Sequence, residues 1–264
     1  MGDSGIRLNI EHGVATVTLD RPERRNALTQ AMWHQVIDFA EEIGSNPKAR
    51  LAVFQSASPG IFSSGADVTE YREHATDLDW SEESQRVVAR ALRAVERIPI
   101  PTLAAIDGPC FGGGCGIAIA CDWRIASARS TFGITPAKLG MVYPYSGTVT
   151  LVQRLGPGAA MWLLATGAAA DAQRALQMGL VDVVLEDPQE LPGAIEEYAS
   201  LMRATSPGSV RIMKEAIARI VAGQLEPSAQ TDAWVRTALE SADYHEGVLA
   251  FLERRAPRFG NDED

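Results

Sequence analysis

Two short stretches of small residues carry the chemistry that this sequence offers. In the first, residues 102–122, an apolar run breaks at Asp107-Gly108-Pro109, passes Gly112, Gly113 and Gly114, and enters the small apolar segment 117–121. A strand, a turn of bare backbone and a helix start leave unpaired N–H groups at one point in space. Such a point holds an anion or an oxyanion. Glycines that only let a helix pack closely would look the same. No frame completes the G-x-G-x-x-G of dinucleotide sites, because Gly112 leads to Ile117 and Gly114 to Ile119. In the second stretch, residues 61–71, an apolar run over 51–55 leads through Ser63, Ser64, Gly65, Ala66 and Asp67 to another helix start. Each turn is able to give one N–H to a single shared oxygen.

Together these stretches resemble a known family. Phe-Ser-Ser-Gly-Ala-Asp at 62–67 and residues 108–122 look like the two oxyanion-hole segments of the crotonase (enoyl-CoA hydratase/isomerase) superfamily. Arg-Pro-Glu-Arg-Arg-Asn-Ala-Leu at 21–28 is similar to its first CoA-contacting loop, and residues 172–182 and 246–259 resemble its later signatures. The resemblance runs from about residue 6 to residue 259 in the family's order. It implies an α/β fold, a spiral of ββα turns over residues 1–195, with a helical trimerisation region over 196–264. The implied substrate is an acyl-CoA whose thioester oxygen gains charge as an enolate forms, held by the N–H groups of Ala66 and Gly113. Coenzyme A enters as part of the substrate, with no permanently bound cofactor and no metal. Its expected contacts are Arg24 or Arg25 at the phosphates, the backbone of Ala27, and Ser64, Gly65, Asp67 and Val68 near the adenine and pantetheine. Asp67 is also expected to brace its loop.

The acid and base depart from the family's pattern. Its hydratases place one glutamate directly after Gly-Gly-Gly-Cys, which here is Gly116, and another four residues on from Phe132, which here is Pro136. Glycine and proline neither activate water nor protonate carbon. The segment around Thr135, Leu139 and Tyr143 is instead partly similar to the methylmalonyl-CoA decarboxylase branch. In that branch the tyrosine at the position of Tyr143 is thought to touch the substrate's carboxylate or its reacting carbon. A Tyr hydroxyl, with a reference pKa of about 10, is able to protonate an enolate. It is equally able to be a packed aromatic bonded to one backbone group. Lys138, Tyr145 and Ser146 lie in the same segment, and Glu70 is a further carboxylate close to the second turn. Hydration, isomerisation and decarboxylation all stay open, as does a CoA-binding scaffold without catalysis.

Composition narrows the classes. A net charge of −10 over 264 residues argues against a nucleic-acid surface, which needs clustered Lys and Arg. Arg21, Arg24 and Arg25 are the obvious local positive cluster for an anionic cofactor. Cys110, Cys115 and Cys121 fit no zinc spacing and read as buried, reduced thiols, which suits a cytoplasmic protein. No segment approaches the ~20 apolar residues of a membrane span, and no signal pattern opens the chain. The acidic residues 261–264 read as a frayed tail.

The elements that must position these groups alternate between strand and helix. Residues 6–10 and 14–19 read as a hairpin around Glu11-His12-Gly13. Thr29 is a fit N-cap for a helix to about residue 43. Residues 51–54, 102–106, 123–126, 130–132 and 181–185 read as strands. Residues 70–83 look like an irregular lid, in which Tyr71 and Trp80 are candidates for the acyl pocket wall, and 84–98 read as a helix. Helices follow over 146–155, 159–165 and 171–178, and the chain from 188 onward is helical, with breaks at 206–208 and 225–228. None of the four histidines falls on a matching functional position.

Overall fold

The computed structural model describes residues 5–74 and 76–260. The tail at 261–264 lies outside the described residues. The chain opens with the expected hairpin, β1 (Ile6–Glu11) and β2 (Val14–Leu19), paired from Ile6–Leu19 down to Glu11–Val14. His12 and Gly13 both take positive φ (49° and 79°), the two-residue turn whose twist matches the strands on either side.

Every later strand of this sheet is parallel. β3 (Leu51–Ser56), β4 (Thr102–Ile106), β6 (Trp123–Ser127) and β9 (Val183–Leu185) extend it in the order β1-β2-β3-β4-β6-β9. Parallel strands need both faces covered, and β4 is buried throughout. Its Ala104 and Ile106 face one core with Trp33, Leu92 and Ile117, while Leu103 and Ala105 face a second core closed by Leu191 and Ala199. A second sheet joins β5 (Pro109–Phe111), β7 (Thr131–Gly133) and β8 (Ala170–Asp171), with β7 central.

The chain therefore climbs in repeated turns, one strand in each sheet and then a helix. β4 and β5 lead into α4 (Gly112–Ala120), and β6 and β7 lead into α5 (Tyr145–Thr166). The expected division of α5 at residues 156–157 is present as a kink at Gly156 (φ 76°, ψ 164°), followed by Pro157. α1 (Gln30–Ser45) starts where Thr29 accepts the Met32 N–H. The lid is more regular than the sequence predicts. α2 (Val68–Glu73) and α3 (Leu78–Glu96) occupy it, and α3 begins six residues earlier than expected, capped by Asp77 on the Trp80 N–H. Of the six added residues only Leu78 and Trp80 are apolar, and their spacing of two marks no helical face.

β8 leads into α6 (Ala172–Gln177), then β9, and α7 (Leu191–Arg203), α8 (Pro207–Val221), α9 (Ala229–Leu239) and α10 (Ala242–Glu253) complete the chain. Residue 195, expected to divide core from tail, falls inside α7, and Leu191 and Ala199 on either side of it both pack on the sheet. α8 is tied to the core by Lys214, whose Nζ donates to the Ile100 carbonyl at 2.8 Å and to the Asp122 carboxylate at 2.6 Å.

Candidate active site

Three segments converge at one end of the sheets. The loop over 21–28 is pinned from within by Asn26, fully buried with φ 52°. Its amide donates to the Ser56 hydroxyl at 2.8 Å and the Phe62 carbonyl at 3.0 Å, its side-chain oxygen accepts the Arg21 N–H at 2.8 Å, and its carbonyl accepts from the Ser63 hydroxyl at 2.7 Å. Sequence reasoning had passed over Asn26, although a residue tolerant of positive φ with three hydrogen-bonding groups suits this position.

Residues 62–67 run between that loop and β5. On one side, Phe62 and Ser63 donate to the Pro109 carbonyl at 3.1 and 3.0 Å, and Phe111 donates to Ser63 at 2.9 Å. On the other side, Leu28 donates to the Gly65 carbonyl at 2.8 Å and Asp67 donates to Leu28 at 3.0 Å. These bonds fix the direction of one amide. The Gly65 carbonyl points at Leu28, so the N–H of Ala66, on the opposite edge of the same trans peptide, points away from that loop and toward the β5 side.

The two turns touch there. A Cβ on Gly65 (φ 98°) would stand 3.1 Å from the Phe111 carbonyl oxygen and 3.4 Å from the Gly112 Cα, and one on Gly112 would stand 3.5 Å from the Gly65 Cα. Gly113 is the second residue of α4, whose N-cap Phe111 gives no side-chain cap. Its N–H is one of the four that a helix start leaves without an intrahelical partner. Among the described residues neither the Ala66 nor the Gly113 N–H has an acceptor. Gly113 is confined behind as well, since a Cβ there would meet the Trp33 ring at 2.6 Å. Bare backbone is required on both sides of the junction.

Asp67 is buried and braces the loop. It accepts from Arg21 at 2.6 Å and from the Thr69 N–H at 2.9 Å, capping α2. Burial alone would raise its pKa. Hydrogen bonds from Arg21 and Thr69, with the Arg21 charge, outweigh that and hold the carboxyl below the ordinary aspartate range. Its oxygens thus face protein. Arg24, Arg25 and Ser64 are exposed at the rim, and among the described residues the two guanidinium groups form no ion pair or hydrogen bond. Ala27 is buried, its N–H on the Arg24 carbonyl and its carbonyl accepting from Arg21, both at 3.0 Å. Val68 and Leu139 are largely exposed, and Thr135 and Pro136 are half-buried at the start of a single 3₁₀ turn, Pro136–Leu139.

Glu70 is occupied elsewhere. Its Oε2 accepts the Gln30 N–H at 3.0 Å, at the N-terminus of α1, which removes it as a free carboxylate over the turn. Tyr71 and Trp80 pack edge to face with centroids 5.4 Å apart, and His74 stacks on Trp80 at 4.5 Å, so these rings hold the α2–α3 hairpin to itself.

The space beside Gly116 is filled. A Cβ there would lie 3.2 and 3.3 Å from the two Leu92 methyls and 3.5 Å from the Tyr143 hydroxyl. The Tyr143 ring rests on Gly147, where an added Cβ would come within 2.6 Å of it. Burial pushes the Tyr143 hydroxyl pKa well above the usual tyrosine value, and Cys115 and Glu96 act in the same direction. Beside the ring is a narrow cavity of about 20 Å³ lined by Leu92, Arg93, Glu96, Gly116, Tyr143 and Thr150. Glu96 accepts from the Thr150 hydroxyl at 2.7 Å. The sequence offered one sign of Glu96: it lies four positions after Leu92 on α3, a carboxylate at the edge of a core-facing stripe.

A family model described as enoyl-CoA hydratase/isomerase matches residues 9–262. An enoyl-CoA isomerase/hydratase of Mycosarcoma maydis is 33% identical, over 94% of this chain and 92% of its own. The mitochondrial methylglutaconyl-CoA hydratase of Mus musculus is 31% identical, over 94% of this chain and 79% of its own. Among solved structures, an enoyl-CoA hydratase/carnithine racemase from Magnetospirillum magneticum superposes with a TM-score of 0.92 at 31% identity, covering 99% of this chain and 97% of that one. Similarity along the full length, in sequence and in fold together, makes the chain a crotonase-fold enzyme of the enoyl-CoA hydratase/isomerase family.

Proposed function

We propose that the protein binds an acyl-CoA thioester and that the N–H groups of Ala66 and Gly113 hold its carbonyl oxygen while the α-carbon becomes an enolate. The observation that carries this reading is the junction of Gly65 with Gly112, which brings an outward-turned amide beside an unpaired helix-start amide. Two fixed donors aimed at one oxygen stabilise charge as it develops, and losing one typically costs ~3 kcal/mol of barrier. Arg24 and Arg25 would meet the CoA phosphates, Ala27, Ser64, Gly65 and Val68 its adenine and pantetheine, and Thr135 and Leu139 the wall of the acyl site. Asp67 contributes by bracing, since its side chain is already engaged.

Family membership suggests a hydratase-type lyase, but Gly116 and Pro136 supply no acid or base for adding water. A second reading, decarboxylation of a malonyl-type thioester, draws on the Tyr143 hydroxyl beside Gly116, a neutral acid able to protonate an enolate. The apolar side chains exposed on the terminal helices, among them Ile217, Ile220, Val235, Phe251 and Leu252, support a homotrimer or a dimer of trimers in which copies of this chain cover one another. Three free, buried cysteines support a cytoplasmic setting. Among the described residues no helix is long and apolar enough to cross a membrane.

The test is an assay of purified protein with crotonyl-CoA and methylmalonyl-CoA, beside calorimetric titration with coenzyme A. Turnover of either substrate that falls in Gly65→Ala supports the enolate reading. Turnover of methylmalonyl-CoA lost in Tyr143→Phe favours decarboxylation. Tight CoA binding with no turnover of any acyl-CoA leaves a scaffold.

A further inference from the structure

Tyr143 and Glu96 come from different elements, and neither occupies a position where the family pattern places a carboxylate. Their surroundings join them. The Tyr143 hydroxyl stands 3.5 Å from where the Gly116 Cβ would be. Residue 116 lies three positions after Gly113 on α4, so the two share a helix face about one turn apart, and a Cβ at 116 tilts back toward the helix start. The hydroxyl thus takes the ground that an acid–base side chain at 116 would occupy, and among the described residues it has no hydrogen-bond partner. Beyond it, the cavity of about 20 Å³ has room for one water. Glu96 lines that cavity with one oxygen accepting from the Thr150 hydroxyl at 2.7 Å.

We propose that Glu96 serves Tyr143 through a single water in this cavity, so that tyrosine, water and carboxylate act as one reversible acid–base relay, and that the reaction this suits is a proton shift along an acyl chain. The proposal rests on the acyl-CoA reading above. When the α-carbon's C–H bond breaks, its proton passes to the tyrosine oxygen, the tyrosine's proton to the water, and one water proton to Glu96. The electron pair of the C–H bond moves onto the thioester oxygen held by the two amides. Reversal returns the proton to the α-carbon, or to the γ-carbon when the enolate is conjugated to a double bond. No oxidant or second substrate is needed. Only Tyr143 meets the substrate; Glu96 is a positioning residue acting through it. The charged or titratable groups facing the hydroxyl are Glu96 and Arg93 from α3 and Cys115 from α4. A second carboxylate so close also disfavours a substrate carrying its own carboxylate, which sets the relay against decarboxylation.

The test follows deuterium entering the α-carbon of butyryl-CoA in heavy water across a range of pH. Wild-type protein exchanges the α-proton. Glu96→Gln keeps the shape and the Thr150 hydrogen bond, and it should lower kcat by at least about tenfold with little change in KM. Thr150→Val should move the rate in the same direction by a smaller factor, and it stands in should Glu96→Gln fail to fold. The difference spectrum against Tyr143→Phe should show tyrosinate forming at lower pH in Glu96→Gln than in wild type, a readout independent of turnover. Exchange in Glu96→Gln with the wild-type rate and pH profile overturns the relay and leaves the enolate reading intact. Wild-type protein that binds butyryl-CoA without exchange overturns both.

Discussion

At the scale of single residues, the site depends on main chain that tolerates no Cβ. Gly65 holds φ at 98° against the Phe111 carbonyl, so Gly65→Ala should rotate the Ala66 amide off its line. We expect turnover of whichever acyl-CoA the enzyme accepts to fall about 10²-fold in that variant. Titration gives a second check. The Asp67 carboxyl lies below its unfolded value, so its stabilising contribution is complete above about pH 4 and lost as pH falls through the lower folded value. Tyr143 has the opposite sign. Its raised pKa favours the protonated form in the fold, so that contribution is complete below about pH 10 and is lost as pH rises beyond it. Denaturant melts should therefore show Asp67→Asn flattening the acid side of the stability curve and Tyr143→Phe flattening its alkaline side.

Among the elements, α1 and α2 are fastened by a carboxylate that sequence alone offered as a stray base. Glu70 completes the N-terminus of α1 alongside Thr29, so Glu70→Ala should cost about 1 kcal/mol in chemical denaturation and speed amide exchange in α2. The hairpin of β1 and β2, the Thr29 cap and the two glycine turns were legible because each has a local cause: a positive-φ pair, a hydroxyl on a helix N–H, a bare-backbone bend. β5 and β8 were not legible, being two or three residues long with no period to read. The first turn of α3 was hidden because its two apolar residues, Leu78 and Trp80, are spaced like a strand's. Glu96 escaped notice because only tertiary packing brings it beside a tyrosine almost fifty positions away.

For the whole molecule, α8, α9 and α10 present apolar side chains that a single chain leaves open, with Phe251 84% and Leu252 73% exposed. Sedimentation should find trimers or hexamers, and Phe251→Asp should shift the mass toward one chain without changing the far-ultraviolet dichroism of the core. The Lys214 bridge to Asp122 and Ile100 lies on the core side of α8 and should survive that separation.

The ladder from Leu28 through residues 62–67 to β5 also has a consequence for how this enzyme can change. Because hydrogen bonds between main chains set the gauge between the two amides proposed as donors, side chains on the α3 and α5 wall can be exchanged without altering it. Placing a carboxylate at position 116 is harder than it looks: Gly116→Glu would push on the Leu92 methyls and the Tyr143 hydroxyl, costing about 1–3 kcal/mol by thermal melt. A new specificity would be carved into the wall, with the donors left as they are.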